Sequence, residues 1–147
     1  MKNSNKWWTF PADGEGGKTV IVTGRDAIEQ FRESGKYIYR INVSWTYNSL
    51  SNGMPEDAES HLMEQITDSL LMAFKKDQVA VMTGIYTGEG RRDWVFYCKN
   101  LAIFNKVFNR ALEDLPTIPL LIEAEEDKDW EEYRQMKEET YVPDEEE

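Results

Sequence analysis

The clearest alternation of hydrophobic and polar residues lies in residues 78–98, which predict a β-hairpin. β-branched and aromatic side chains dominate residues 79–86 and 94–97, and the turn Gly88-Glu89-Gly90 separates them. Glycine adopts the positive φ angles of such turns at little cost. Period-2 alternation then directs one set of side chains toward a core: Trp94, Phe96 and Cys98. It directs the other set away from that core: Arg91, Asp93, Val95 and Tyr97.

Residues 37–46 alternate in the same way and predict a second long strand. The large side chains share one face: Tyr37, Tyr39, Ile41, Val43 and Trp45. Polar side chains share the other face: Arg40, Asn42, Ser44 and Thr46. We expect the first face to be buried and the second to be wet or functional.

Apolar residues recur at helical spacing on both sides of the hairpin. Pro55 suits a first helical position, and the stripe that follows predicts a long helix ending near residues 75–77: Leu62, Ile66, Leu70, Ala73 and Phe74. Asn100 is a typical N-cap, and the next stripe predicts a second helix ending before Pro116: Leu101, Phe104, Phe108, Ala111 and Leu112. Each stripe should bury against a sheet.

The N-terminal part predicts a shorter hairpin. Residues 6–10 and 18–23 have strand composition, and the proline- and glycine-rich residues 11–17 between them predict a loop. Residues 26–31 predict a short helix or an extended crossing.

The C-terminal part predicts one more strand and one more helix. Residues 119–124 are apolar enough for a short strand, and residues 127–137 carry large side chains at helical spacing: Trp130, Tyr133 and Met136 or Lys137. We expect residues 1–141 to form a single domain, followed by an acidic, frayed segment at residues 142–147.

From residue 37 to residue 124 the predicted order is βαββαβ, which indicates an α+β fold with a ferredoxin-like core. Right-handed crossovers place both long helices on one face of the sheet. The other face is left over, and either the N-terminal hairpin or the C-terminal helix could cover it or extend the sheet.

Composition is that of a globular protein. With 147 residues, of which 40% are hydrophobic, one domain can bury roughly 70% of the unfolded chain's surface. The single cysteine, Cys98, excludes an internal disulfide and fits a buried structural thiol. The chain has no apolar run of signal-peptide or membrane-span type, so we expect a cytoplasmic protein.

The net charge of −11 is concentrated near the C-terminus. Residues 1–112 hold 14 Lys and Arg against 13 Asp and Glu, whereas residues 113–147 hold 3 against 15. Residues 1–112 are nearly neutral and contain no basic stripe, which argues against nucleic-acid binding. The acidic end, including Glu145 to Glu147, is either a solvated tail or a docking segment for a basic partner.

Common catalytic and cofactor motifs find no support in the sequence. His61 is the only histidine, and its neighbours Asp57 and Glu64 do not complete a structural zinc set, so we predict a solvated or boundary histidine and no metal site. The glycines at 14–17 and 88–90 lack the lysine and Ser/Thr of a phosphate-binding loop, which favours turns. We therefore predict no cofactor and no catalytic residue.

The left-over sheet face is the candidate binding site. Six polar residues should share it: Arg40, Asn42, Ser44, Arg91, Asp93 and Tyr97. Because the strands that carry them are expected to lie close together, they could line one groove. The alternatives are a solvated face with ion pairs such as Arg40 with Asp93, or a face covered by the third helix through Trp130 and Tyr133.

Several segments in a fixed order carry a family resemblance: Trp7-Trp8-Thr9-Phe10 through Thr23, Asn52-Gly53-Met54-Pro55, Thr83-Gly84 with Arg92-Asp93-Trp94-Val95-Phe96-Tyr97, and Asp129-Trp130-Glu131-Glu132-Tyr133 with Tyr141-Val142-Pro143. Together they resemble the uncharacterised bacterial family called domain of unknown function 695. Its members look like ferredoxin-type α+β domains, and some occur beside a domain similar to the protein inhibitor B of ribonuclease E. The resemblance implies a regulatory or binding module, and it supplies no catalytic residues.

These observations favour a non-enzymatic regulatory or protein-binding module whose partner has a basic surface. The alternative is a small-molecule-binding or catalytic domain that uses the left-over face. A homodimer formed through that face is a third possibility.

Overall fold

The computed structural model describes residues 3–143, which form an α+β structure with one six-stranded sheet and four helices. The strands are β1 (Trp7–Asp13), β2 (Thr19–Arg25), β3 (Tyr39–Thr46), β4 (Ala80–Gly88), β5 (Arg91–Cys98) and β6 (Leu120–Glu126). The helices are α1 (Glu29–Glu33), α2 (Asp57–Lys76), α3 (Leu101–Leu112) and α4 (Glu131–Thr140). The predicted α+β class is confirmed. The acidic residues Glu145 to Glu147 lie outside the described residues.

All neighbouring strands of the sheet pair antiparallel, in the order β1-β2-β4-β5-β3-β6. The sheet is larger than the four strands expected from residues 37–124, because the N-terminal hairpin joins it through β2. The expected loop at residues 11–17 begins later, since β1 runs through Pro11 to Asp13. A proline is tolerated there because β1 is an edge strand, where one backbone side needs no partner.

One face of the sheet, the α2/α3 face, is covered by the two long helices. Phe74 of α2, Phe96 of β5 and Phe104 of α3 contact one another with ring centroids 5.1 to 5.4 Å apart. Trp94 and Cys98 are also fully buried there, as the alternation of β5 predicts. Burial raises the pKa of the Cys98 thiol to about 11, so the thiol is protonated and unreactive at neutral pH.

The opposite face, the α4 face, is partly covered by α1 and α4. Trp130 stacks on Tyr97 of β5 at 4.3 Å, and Tyr133 contacts Trp130 edge to face. The other buried members of this cluster come from β1, β2, β4, α4 and the residues in and around α1: Trp8, Val22, Ile28, Phe31, Tyr37, Val81 and Met136. The N-terminal hairpin thus extends the sheet, and the C-terminal helix covers part of its left-over face.

Two expected side-chain positions were wrong. Tyr37 precedes β3 and packs on the α4 face, where its ring meets Phe31 edge to face at 5.2 Å. Its carbonyl accepts a hydrogen bond from Trp130 Nε1 at 2.8 Å, so the chain leaves the strand alternation before Tyr39. Leu101 lies at the first position of α3 and is 37% exposed. The interior position missing from the predicted stripe of α2 is Met63, which is 1% exposed.

None of the helices between residues 3 and 143 is long and apolar enough to cross a membrane.

Candidate functional site

Strand register brings the polar residues predicted from the sequence onto the α4 face. On β3, Arg40 lies opposite Tyr97 of β5, and Ser44 lies opposite Asp93. Asn42 lies between them, and Arg91 pairs with Thr46 at the end of the same row. On its other side β3 pairs with β6, where Glu125 lies opposite Arg40. The six predicted residues therefore share one face, together with acidic residues of β6.

An open cleft lies on this face beside the N-terminal end of α4. Its volume is about 410 Å³, and we call it the central cleft. Three of the six predicted residues line it, Arg40, Asn42 and Arg91. The remaining lining residues come from β6 and α4: Glu123, Ala124, Glu125 and Glu132.

Asp93 organises one wall of the central cleft. Its Oδ1 atom accepts hydrogen bonds from Ser44 Oγ at 2.5 Å, Arg91 Nε at 2.8 Å and Asn42 Nδ2 at 3.3 Å. The expected ion pair of Arg40 with Asp93 was wrong. The register sets Arg40 four residues along β3 from the position opposite Asp93, so Arg91 pairs with Asp93 instead.

Arg40 and Tyr97 meet at a second carboxylate, that of Asp127. Arg40 donates from Nη2 to Glu125 Oε2 at 2.6 Å and from Nη1 to Asp127 Oδ2 at 3.3 Å. Tyr97 OH donates to the same Asp127 oxygen at 2.7 Å. Tyr97 is fully buried and is not among the residues that line the cleft, so it contacts the site through Asp127.

Asp127 also holds the start of α4. Its carboxylate accepts the backbone N–H groups of Glu131 at 2.9 Å and Glu132 at 3.3 Å. Burial alone would raise the pKa of Asp127, but the hydrogen bonds from Tyr97 and these N–H groups, with the charge of Arg40, hold it below its ordinary value. Asp127 is therefore ionised at neutral pH and fixes α4 against the sheet.

Glu132 occupies the floor of the central cleft with one carboxylate oxygen unpaired. Tyr86 OH donates to Glu132 Oε1 at 2.6 Å. Oε2 is buried and has no hydrogen-bond donor among the described residues. Burial raises the pKa of Glu132, although the hydrogen bond from Tyr86 and the charge of Arg40 act in the opposite direction. Burial also raises the pKa of Tyr86, so the phenol stays protonated and continues to donate.

A second depression, which we call the outer cleft, lies on the other side of the Tyr86–Glu132 hydrogen bond. It measures about 420 Å³ and is bounded by α4, β1 and β2. Its apolar lining includes Val20, Val22 and Met136, and its acidic lining includes four residues in addition to Glu132: Asp13, Glu15, Glu89 and Glu139.

The sequence reasoning missed several residues of the site: Tyr86, Glu123, Glu125, Asp127 and Glu132. Glu123 lies within the predicted strand at residues 119–124, and a strand extended to Glu126 would also have included Glu125, two residues further on the same face. No local sequence signal indicates that Glu132 is half-buried with its Oε2 atom shielded, because this depends on the packing of α4.

Metal-binding geometry is absent from residues 3–143, where no group of three or more His, Cys, Asp or Glu side chains could hold an ion. His61 is exposed on α2, which packs on the face of the sheet opposite the two clefts. Gly88, Glu89 and Gly90 form the β4–β5 turn with φ of 158°, 52° and 80°, so the prediction of a turn is confirmed.

Comparison with known protein families identifies the family of this chain. The sequence model of the family described as "Family of unknown function (DUF695)" matches residues 5–136. The chain belongs to the DUF695 family. No curated protein and no solved structure matched it. The DUF695 match includes every residue that lines the central cleft, together with Tyr86, Asp93 and Asp127.

The charge balance of this DUF695 domain decides which ligands the central cleft can accept. Both arginines of the cleft are already ion-paired, Arg40 with Glu125 and Asp127, and Arg91 with Asp93. Glu123 makes no ion pair with any described residue, and Glu132 retains a free oxygen. The cleft therefore offers acceptors to a ligand and has no unpaired cation for an anionic ligand.

Proposed function

We propose that this DUF695 protein is a non-enzymatic binding module that recognises a basic group of a partner protein in the central cleft. The observation that carries the proposal is the buried Oε2 atom of Glu132, which lacks a donor in a cleft whose arginines are already paired. A buried acceptor without a partner costs about 1–3 kcal/mol, and a charged donor removes that cost. An ammonium or guanidinium group supplies such a donor once rotation of the Glu132 carboxylate turns Oε2 toward the cleft.

An anionic ligand fits this arrangement poorly. To bind Arg40 or Arg91 it must displace a carboxylate that already contacts the arginine at 2.6 to 2.8 Å. It must also approach Glu123 and Glu132, which repel it. Like-charge contacts of this kind exclude partners as effectively as attraction selects them.

A protein partner is favoured over a single small molecule because the acceptors continue beyond the central cleft. The outer cleft adds four further carboxylates on the same face of the sheet. Several basic side chains of one extended segment can contact such a surface together. Regulation through protein contact in the cytoplasm, where a free buried thiol such as Cys98 stays reduced, is consistent with this reading.

We also infer that residues 37–124 have a ferredoxin-like topology. The strand order β4-β5-β3-β6 supports it, and so does the packing of α2 and α3 on a single face.

The test measures binding of a fluorescent hexapeptide of alternating Lys and Arg, with a peptide of Gln as the uncharged control. Glu132→Gln should weaken binding of the basic peptide about tenfold, or about 1.4 kcal/mol. Glu138→Gln is the matched control, because Glu138 is exposed on the same helix and lines neither cleft. Equal binding by the wild type and Glu132→Gln would overturn the proposal.

Removal of residues 142–147 separates cleft binding from docking by the acidic tail. If the central cleft is the site, the truncated protein binds the peptide with nearly unchanged affinity. Loss of binding on truncation, with no effect of Glu132→Gln, would instead identify the tail as the docking segment.

A small-molecule site for an amine is the second candidate, favoured by the cleft volume of about 410 Å³, which lies within the usual range for ligand pockets. Spermidine serves as the probe in a thermal-shift assay, since a ligand selective for the folded state raises the melting temperature. Spermidine that binds as tightly as the peptide would favour this candidate over a protein partner.

A further inference from the structure

The outer edge of β6 is an open position in the sheet. β6 is the last strand and pairs only with β3, through seven consecutive residue pairs from Leu120 to Glu126. Half of the backbone N–H and C=O groups of an antiparallel edge strand point away from its neighbour. The N–H group of Leu120 bonds to the carbonyl of Ile118, and from Leu121 to Glu126 no backbone group of the described residues outside β3 bonds to the strand along that outer edge.

Two of the usual protections of an edge strand, a proline and a bulge, are missing from β6, and its charged side chains are all glutamates. Leu120 to Glu126 contains no proline and no lysine, and the register with β3 shows no bulge. Five or more residues of regular, exposed edge form a template for another strand unless such features block it. The outer edge of β6 is therefore suited to receive a further strand.

The two faces of β6 differ in chemistry. On the α4 face, Glu123 and Glu125 are exposed and line the central cleft. On the α2/α3 face, Ile122 is 39% exposed and borders a groove of about 330 Å³. The apolar side chains of that groove come from α2, α3 and the segment leading to β6: Ile66, Phe108, Leu112, Leu115, Ile118 and Leu120.

This arrangement defines the sequence pattern of an added strand. Cross-strand neighbours lie about 4.5–5.5 Å apart, so side chains on one face of the new strand would contact Glu123 and Glu125. Side chains on its other face would contact Ile122 and cover the apolar groove. Because side chains alternate between faces, basic and aliphatic residues must alternate along the added strand.

A second copy of β6 does not fit the same edge. Two antiparallel copies would set Glu123 and Glu125 of one chain opposite or diagonal to the acids of the other, in any register that overlaps them. Like charges opposite each other destabilise a strand pair. Charge complementarity therefore points to a basic segment of a different protein.

We propose that the outer edge of β6 binds an extended segment of a partner protein, in which Lys or Arg alternates with Val, Ile or Leu, by adding it to the sheet as a seventh strand. The basic side chains then reach Glu123 and Glu125 at the β6 side of the central cleft, while backbone hydrogen bonds fix the register. This inference rests on the proposed function, since the basic group in the cleft belongs to the added strand, and it specifies the shape of the partner.

The first experiment uses peptides as probes. A seven-residue peptide that alternates Lys and Val should bind at least tenfold more tightly than a peptide of the same composition with its Lys and Val in separate blocks. Two N-methylated isomers of the alternating peptide provide the sharper control, one methylated along each edge of the strand. One isomer should lose binding and the other should keep it, because only one edge of the peptide faces β6.

Separate outcomes distinguish the inference from the function on which it rests. If alternating, blocked and both methylated peptides bind equally, and Glu132→Gln weakens them all, strand addition is overturned and recognition of a basic group stands. If no basic peptide binds, both are overturned.

The second experiment changes the protein. Ile122→Lys places a charge against the added strand and should weaken binding of the alternating peptide at least tenfold, with little effect on the blocked peptide. Met72→Lys is the control of equal charge, since Met72 is 74% exposed on α2. Circular dichroism checks the fold, and Glu123→Gln combined with Glu125→Gln tests the same edge if Ile122→Lys fails to fold.

Sedimentation of the free protein tests whether a second copy of the chain occupies the outer edge of β6. We expect a monomer. A dimer that Ile122→Lys dissociates would assign the edge to a second copy of the chain and overturn the proposal.

Discussion

Glu132 is the residue whose surroundings matter most for binding. Tyr86 on β4 donates to it, Arg40 on β3 attracts it, and Asp127 repels it, while Tyr97 on β5 lies close enough for its own pKa to be raised by Glu132. Burial outweighs the attraction and raises the pKa of Glu132. A cation in the cleft would oppose that effect, so binding of a basic group should release a proton from Glu132 and strengthen as the pH rises.

The raised pKa of Glu132 gives a stability prediction. A carboxyl group whose pKa is higher in the folded state stabilises that state at low pH, and the stabilisation is lost as the pH rises through the folded pKa. Glu132→Gln removes the titration and keeps the shape. Its free energy of unfolding should therefore exceed that of the wild type at pH 8, and the difference should shrink toward pH 4. Urea denaturation across this range measures it, and a wild type more stable than Glu132→Gln at pH 8 would contradict the burial argument.

Asp127 should show the opposite dependence on pH. Its pKa lies below the ordinary value, so the stability that it contributes is present above that value and is lost as the pH falls through the folded pKa. Asp127→Asn weakens the contacts with Arg40, Tyr97 and the start of α4. We expect a loss of about 2 kcal/mol at pH 7, typical of a hydrogen bond to a charged group. Urea denaturation between pH 8 and pH 4 should show the free energies of unfolding of the wild type and Asp127→Asn converging as the pH falls. A loss of stability that does not depend on pH would count against an ionised Asp127 carboxylate.

Among the elements, β2 depends on a glycine. A Cβ atom at Gly24 would lie 2.0 Å from the ring of Trp8, which is buried and donates from Nε1 to Thr140 of α4 at 2.9 Å. Gly24→Ala should therefore displace the indole and destabilise the protein by about 3 kcal/mol, at the upper end for an overpacked core.

Gly35→Ala is the matched control for Gly24→Ala. Nothing lies within 4 Å of a Cβ atom at Gly35, but its φ of +69° strains any side chain. We expect a cost of about 1 kcal/mol from the backbone alone. Thermal melts of both variants measure their losses of stability relative to the wild type. Equal losses would show that a clash between the new side chain at position 24 and Trp8 is not the cause.

The same elements show what sequence patterns could and could not predict. Alternation located β3 and β5 and the face of Arg40, because a regular strand repeats every two residues. It missed the position of Tyr86, because a register shift around Thr83 places Tyr86 on the same face as Val81. Without that shift, strict alternation would have placed Val81 and Tyr86 on opposite faces of the sheet. The burial of Glu132 arises from contacts between distant segments, which no local pattern contains.

At the scale of the whole molecule, the charge asymmetry along the chain becomes a spatial one. The C-terminal quarter, with 15 acidic and 3 basic residues at 113–147, provides both β6 and α4, which border the central cleft on two sides. Helix α4 packs against β1 and β2, and Trp130, which directly precedes it, stacks on Tyr97 of β5. The exposed acidic strand and the cleft therefore lie together at the uncovered end of the sheet, where a basic strand can be added without any rearrangement of the core.

This concentration of charge predicts opposite effects of salt on stability and on binding. Raising NaCl from about 20 mM to about 300 mM shortens the screening length from roughly 20 Å to below 10 Å. Repulsion among the acids of residues 113–147 weakens, so the melting temperature of the free protein should rise by a few degrees. Attraction between these acids and a basic peptide weakens as well, so the peptide should bind more weakly. The rise in melting temperature should shrink near pH 4, where carboxylates take up protons. Binding that is unaffected by salt would mean that the cleft recognises its partner through apolar contacts, and the acidic face would then have no part in recognition.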